Sequence, residues 1–557
     1  GTSPPFGLTV VGASGPPPEP PLVLDVLGTF GGDLPAALAE AAAAPAGRDV
    51  EVVLGAHKYA LTAPLAVPNR TTLRGEGAGV TALAFTLTEG RHGGGGERRL
   101  VSLRSLTPAL AMPTQTAALR VGSRVSLLNF SVAVSAASTT HDALGYVAVW
   151  APPGSDRLDV LGLNVTLASS NASSVLRVEA DYFRVRGSAL WQLGACRTGL
   201  GTFRGASALW VVGARDGLVA GCTIGWRCSA FDVDASEKIV FEENTVRLLA
   251  RGAIPHGNAA SGYQVIGTDR PHSRWQIFAR NAFTRPACDP VSAPGQCGPA
   301  SGYDNWFQRE TFTTDGAGRF GAVGVVTHTA AVDRAPAAAA TAPPGATVVT
   351  VRWTVLTKPL LVGARLVVIG GAGVGQSRYI VGVGPSNTTL ALDAPFDNHL
   401  ELGVSLVAVN AAFGDKLVVG NTFLWTEVVQ FYGHTIRGVM AMNSFEHANV
   451  DHNQRKLSAS LGLMGECYQG APAVVWWIEF YGNRMHASDG ITVEENAGTD
   501  LALCGGFRGP WVRWVVLRGN AISGVSLAAQ NATRPAGQPA GCGSVVVNDA
   551  VANRPQH

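Results

Sequence analysis

A short phrase recurs from residue 243 onward and restricts the fold more than any other feature: a strand-like run, an Asn, and an apolar residue two places on. It reads Glu243-Asn244-Thr245-Val246, Arg280-Asn281-Ala282-Phe283, Gly420-Asn421-Thr422-Phe423, Met442-Asn443-Ser444-Phe445, Gly482-Asn483-Arg484-Met485 and Gly519-Asn520-Ala521-Ile522. Neighbouring Asn residues lie 37 positions apart from 244 to 281, then 22, 40 and 37 apart from 421 to 520. The shortest interval is one coil of a parallel β-solenoid, and the longer ones are a coil plus an inserted loop. Asn suits the corner of such a coil. It tolerates the left-handed backbone of a turn, and its amide both donates and accepts, so stacked Asn residues can bond to one another in a buried polar site. The apolar residue two places on returns to the core by strand alternation.

A solenoid also reconciles the length with the composition. A chain of 557 residues exceeds a usual single domain, but each coil needs only its neighbours for burial, so length does not count domains here. The 68 Gly, 46% hydrophobic and 15% charged residues suit many short strands and tight turns and exclude disorder throughout. The 42 basic and 40 acidic residues are interspersed, with no basic run to track a phosphate backbone, so nucleic acid is not an expected partner. No transmembrane segment is expected, because no apolar run nears the roughly 20 residues of a span. The most apolar pieces, such as Ala473 to Ile478, are strand-sized.

Along the chain, residues 1–22 carry Pro4, Pro5 and the Pro16 to Pro18 run and read as an extended arm. Asp33 to Ala44 is Ala/Leu-rich, with Asp in front and Pro early, and predicts an N-capped helix closing the open end of the solenoid. A strand at Val50 to Leu54 follows. The solenoid then occupies residues 23–324 and 410–557, interrupted at 325–409 by a small inserted β domain, a barrel or a sandwich. In that interval the Asn phrase stops, a low-complexity Ala335 to Pro344 linker appears, and five strand candidates follow: Thr347 to Trp353, Arg365 to Ile369, Arg378 to Val383, Thr388 to Leu392 and Val404 to Val409. Gly370 to Gly375 lacks the spacing and the following helix of a dinucleotide loop, and is expected to be a turn.

The entry into the solenoid carries a family likeness. Thr29-Phe30-Gly31-Gly32-Asp33, the Ala-rich helix, Pro64-Leu65-Ala66-Val67-Pro68-Asn69 and Thr71-Thr72-Leu73-Arg74-Gly75 together resemble the start of the pectate-lyase-like superfamily. The resemblance implies an all-β, right-handed parallel β-helix, and polysaccharide as the substrate class. Its known catalytic sets are mostly missing. Of the polygalacturonase elements only Gly433-His434-Thr435 is matched, and the Arg-x-Pro-x-x-Arg element of pectate lyases is matched once, by Arg508-Gly509-Pro510-Trp511-Val512-Arg513, without its calcium-binding aspartates. The resemblance carries over Arg508 and Arg513 alone, as substrate-binding residues.

Two features point to an extracellular or cell-surface glycoprotein made in the secretory pathway. Asn-X-Ser/Thr sequons stand at Asn69, Asn129, Asn164, Asn171, Asn387 and Asn531. The eight cysteines are even in number and contain no Cys-x-x-Cys pair, which favours disulfides, with Cys288 and Cys297 stapling a Pro/Gly-rich loop. The chain begins at Gly1 without a leader, so the expectation of secretion rests on sequons and cysteines.

Polysaccharide chemistry on a β-helix needs acids and sugar-stacking aromatics aligned along one strand face. The first cluster is Asp304, Glu310 and Asp315 with Trp306 and Arg309, in a stretch rich in aromatics just before the insertion. The second is His434, with Arg455 and Lys456, which a 22-residue coil would stack on it. Asp232 and Asp234 alternate on one strand, and Asp489 with Glu494 and Glu495 reads as an acidic turn. No cofactor is required; such oxygens admit calcium. Glycan, polysaccharide or glycoprotein-borne, is the expected partner. A catalytic chain of this kind would be a lyase, a glycoside hydrolase or an epimerase; a noncatalytic one would be a structural or adhesive component of a cell wall, surface or filament, with self-assembly or extracellular protein partners.

Overall fold

The computed structural model describes residues 19–88, 116–137, 146–169, 174–193, 207–226, 229–234, 236–248, 258–259, 273–284, 310–315, 321–331, 347–356, 362–410, 413–424, 428–432, 435–446, 461–468, 471–486, 491–496, 512–523 and 546–548. They form three long parallel sheets of 14, 12 and 12 strands, here A, B and C, and one small closed barrel. Each coil visits the sheets in the order C, A, B. Tyr146–Ala151, Asp159–Leu161 and Asn164–Ser169 make one turn, and Ser174–Val178 begins the next by pairing in parallel with Tyr146–Ala151. The fold is a right-handed parallel β-helix, the crossover hand that parallel connections take.

The recurring Asn residues stack as a ladder between sheets A and B. In each rung the side-chain amide of Asn244, Asn281, Asn421, Asn443 or Asn483 donates to Oδ1 of the next Asn at 2.9–3.0 Å. The same Oδ1 accepts the backbone N–H of the preceding rung, and the second amide proton finds a strand carbonyl, as from Asn421 to Phe278 at 2.9 Å. All six Asn are buried, and the arrangement satisfies their polar atoms with partners of their own kind. One expectation is corrected. The left-handed backbone belongs to the residue before each Asn, Glu243, Arg280, Gly420, Met442, Gly482 and Gly519, and the Asn itself is not left-handed. The register extends the ladder position backward through Cys222, Ser188, Leu163, Phe130 and Thr81. Cys222 is therefore a buried free thiol in an Asn site, and the eight cysteines are not all paired in disulfides. Cys288 and Cys297 lie outside the described residues.

Beside the ladder, the apolar residues two places on form the core. Phe283, Phe423 and Phe445 stack at 4.8 and 4.9 Å, and Val246 and Met485 extend the column. The helix Leu34–Ala43 closes the N-terminal end, with Asp33 Oδ1 accepting from Ala36 N at 3.0 Å and Leu34, Ala37, Leu38 and Ala41 buried in the core.

A second left-handed column runs along the entry to sheet A: Arg70, Arg124, Arg157, Tyr182, Asp216, Lys238, Trp275, Asp415, Arg437, Trp477 and Trp514. Between the two columns lies the outer face of sheet A, on which the barrel sits. The barrel closes through Gly321–Ala331, Thr347–Leu356, Thr389–Leu392, Ser377–Val383, Arg365–Gly370 and Leu406–Asn410. Five of these strands coincide with the sequence candidates, and the sixth, Gly321–Ala331, escapes them because Gly and Ala weaken its pattern. Gly324 is needed there: a Cβ would stand 2.5 Å from Val351. The barrel has its own core around Val349, Leu366 and Leu390. A separate apolar cluster, Val367, Ile369 and Ala408 against Ile436, Val474 and Trp476, docks it on the solenoid. The coils close over the insertion in register, Ser273–Ala279 pairing directly with Phe413–Val419.

Candidate functional site

Sheet C presents the longest uninterrupted outer face away from the barrel-covered sheet, and the register defines its columns. Position by position, Arg120, Trp150, Arg177, Trp210, Asp232, Ala259, Thr313, Gln430, Gly462 and Thr492 succeed one another coil by coil. Two residues further along each strand a parallel column holds Val212 and Asp234, then Asp315, Tyr432, Met464 and Glu494. Strand alternation puts these positions opposite the core residues Leu209, Val211, Phe231 and Val233.

The N-terminal half of this face is a stack of cations and rings. Arg120 and Arg177 each lie 5.4 Å from the Trp150 ring, and Arg177 lies 4.5 Å from that of Trp210. Glu179 locks the stack: its Oε1 accepts from Trp150 Nε1 at 2.8 Å and is 2.8 Å from Arg177 Nε. The Arg177 and Glu179 side chains are only 11% and 9% exposed, so this ion pair is shielded from screening. Trp210 packs with Val212 in an apolar pair separate from the core. None of Trp150, Arg177, Glu179 or Trp210 stood out in the sequence. The signal was present as Trp, Arg and Trp at the same strand position of successive coils, but it becomes legible only once the register is known.

The C-terminal half holds the acids. Glu310–Asp315 is a strand of sheet C directly beside Val428–Tyr432, with Asp315 opposite Tyr432 and a bulge between Glu310 and Phe312. The segment before the barrel and the coil after it are thus adjacent rungs. Asp232 and Asp234 occupy the strand Ser229–Asp234 of the same sheet. Asp234 and Asp315 share a column two coils apart, about 10 Å at the backbone, the scale on which paired acids flank a glycosidic bond.

Other expected residues fall elsewhere. His434 directly follows the described strand Val428–Tyr432 but, with Asp304, Trp306, Arg309, Arg455, Lys456 and Arg508, lies outside the described residues. The 22-residue stacking of 434 on 456 is corrected. Thr435 pairs with Val475, so the neighbour of position 434 in the next coil is 40 residues on, and 456 falls in the connection between sheets B and C. Glu494 and Glu495 belong to the strand Ile491–Asn496 and not to a turn, because they extend sheet C beside Met464 and Gly465. Arg513 is on sheet A, its guanidinium 5.9 Å from the Trp476 ring, and so on a different face from Asp315. Among the sequons, Asn69, Asn129 and Asn164 are exposed, Asn387 is half-buried at a barrel turn, and Asn171 and Asn531 lie outside the described residues. Among the described residues no three His, Cys, Asp or Glu side chains are grouped as a metal requires, and no helix is long and apolar enough to cross a membrane.

No family model matches the chain, and no curated protein matches it. Among solved structures it is similar to the A-module of the mannuronan C-5 epimerase AlgE6 of Azotobacter vinelandii, at 11% identity and a TM-score of 0.36 over 90% of this chain and 92% of that one. It is similar to the tailspike protein of E. coli bacteriophage HK620, at 10% identity and a TM-score of 0.46, over 88% of this chain and 62% of the tailspike. It is also similar to PfbA, a surface adhesin of Streptococcus pneumoniae, at 8% identity and a TM-score of 0.41 over 87% and 86% of the two chains.

Proposed function

We propose that this chain is an extracellular member of the pectate-lyase-like superfamily that binds an extended polysaccharide along the outer face of sheet C. The observation that carries this reading is the single in-register column that runs from the ring-and-cation stack of Trp150, Arg177 and Trp210 to the acid positions beside Asp315. Such a column offers apolar ring surface for sugar faces and carboxylates for hydroxyls, repeated at a spacing set by the coil. Any bond-breaking step belongs at Asp315 and its neighbours Glu310, Asp234 and His434, where a general acid and a general base can flank one linkage.

The test is binding and turnover on uronate-containing and neutral oligosaccharides, with a crystal soak to locate the sugar. Asp315→Asn is expected to lower turnover by at least 100-fold with little effect on binding, whereas Trp150→Ala should weaken binding about 10-fold. Sugar bound only at a distant surface, with turnover unchanged in Glu310→Gln, Asp315→Asn and His434→Ala, would overturn the proposal. No binding to any glycan, with a regular lattice in micrographs, would favour the structural role instead.

A further inference from the structure

The seat of the barrel holds an arginine whose charge nothing around it answers. On the outer face of sheet A one column reads Arg215, Glu237, Arg274, Gly414, Ile436, Trp476 and Arg513. Every member but one carries a side chain longer than two carbons. The backbone at Gly414 is not left-handed, so glycine is there for space. A Cβ at this position would stand 2.8 Å from Nη1 of Arg365, which reaches in from the barrel, and 3.7 Å from both the Tyr379 hydroxyl and the Ile436 carbonyl.

Arg365 is 3% exposed, and neither its Nε nor its Nη1 has a hydrogen-bond acceptor. Other arginines with a buried Nε differ from it: Arg177, Arg186 and Arg215 each have a carboxylate within ion-pair distance, at 2.8, 3.3 and 2.6 Å. The acids near Arg365 are already engaged. Asp415 is bound twice by Arg437, at 2.7 and 3.0 Å, and Asp393 accepts from the Tyr379 amide at 2.9 Å. Glu237 is shared by Arg215 and Arg274. Tyr379 lies between two guanidiniums, 4.7 Å from Arg274 and 5.0 Å from Arg365. Its hydroxyl hydrogen-bonds with the Arg274 guanidinium, which has no acceptor to offer, so the hydroxyl accepts and still carries a proton of its own to donate. Burial also lowers the proton affinity of Arg365, the direction expected of a cation removed from water without a partner.

We propose that the space over Gly414 is a binding site for one small monovalent anion, chloride in ordinary media, held by Nη1 of Arg365 and the Tyr379 hydroxyl, and that this ion seats the barrel on the solenoid. A buried guanidinium needs a counter-charge and hydrogen-bond acceptors, and a small anion supplies both without requiring an open channel. The site is closed by the Arg365 and Tyr379 strands on one side and by sheet A on the other, which excludes anions as large as gluconate.

The experiment is thermal unfolding of the full chain at constant ionic strength, with sodium chloride replaced stepwise by sodium gluconate, together with crystals grown in bromide. Chloride is expected to raise the midpoint saturably, by about 2 °C. Arg365→Met and Gly414→Ala should both abolish that dependence. Bromide should give an anomalous peak over Gly414. Equal midpoints in the two salts, or a chloride effect that survives in both variants, would overturn the proposal. If neither variant folds, the bromide map of the unaltered protein decides, and no peak over Gly414 sinks it.

Discussion

At the scale of single residues, the Asn ladder shows how a buried polar group becomes an asset when every rung completes the one before it. Asn443 accepts from both the backbone and the side chain of Asn421 and donates to Asn483. Asn443→Leu is therefore expected to leave two donors and one acceptor buried without partners and to cost about 3 kcal/mol or more, measured as a lower midpoint in denaturant. Cys222 occupies the same kind of site, and burial pushes its thiol up to about 11. Without denaturant it should resist thiol reagents at pH 8, where the thiolate is scarce and access is closed. The phrase Gly221-Cys222-Thr223-Ile224 has the form of an Asn rung, so this placement was readable in the sequence. Counting cysteines in pairs obscured it, because the even total invites disulfides whatever the position of each thiol.

At the scale of elements, local chemistry made some features legible and tertiary contact hid others. The capping helix and five barrel strands announce themselves through Asp33, the Ala/Leu run and β-branched stretches between turns. Glu494 and Glu495 were misread because adjacent acids look like a turn when the partner strand, Leu461–Tyr468, is unknown. The position 434 counterpart was missed because a 22-residue rung does not repeat where a connection is inserted. The docking of the barrel was invisible for the same reason: Ile436, Trp476 and Ile369 are ordinary strand residues until sheet A and the barrel meet. Trp476→Ala is expected to remove about 3 kcal/mol of packing and to loosen the barrel selectively. Hydrogen exchange should quicken in Arg365–Gly370 and Leu406–Asn410, while Tyr146–Ala151 and Asp159–Leu161 stay protected.

At the scale of the whole molecule, the solenoid is a linear assembly in which each coil is stabilised by its two neighbours, so its ends matter more than its length. The helix Leu34–Ala43 covers Val50, Val52 and their neighbours at one end. Deleting it should expose apolar surface and strand edges there and cause concentration-dependent association, visible by light scattering. The Asn ladder adds a direction to this line. All of its amides donate toward the C-terminal end and accept from the N-terminal end, so their dipoles add rather than cancel. The rod is thus electrically polarised along its axis, like an arrow with a distinct head and tail. Copies joined end to end could continue that arrow only tail to head, whereas two-fold pairing through the same ends would set like poles against each other.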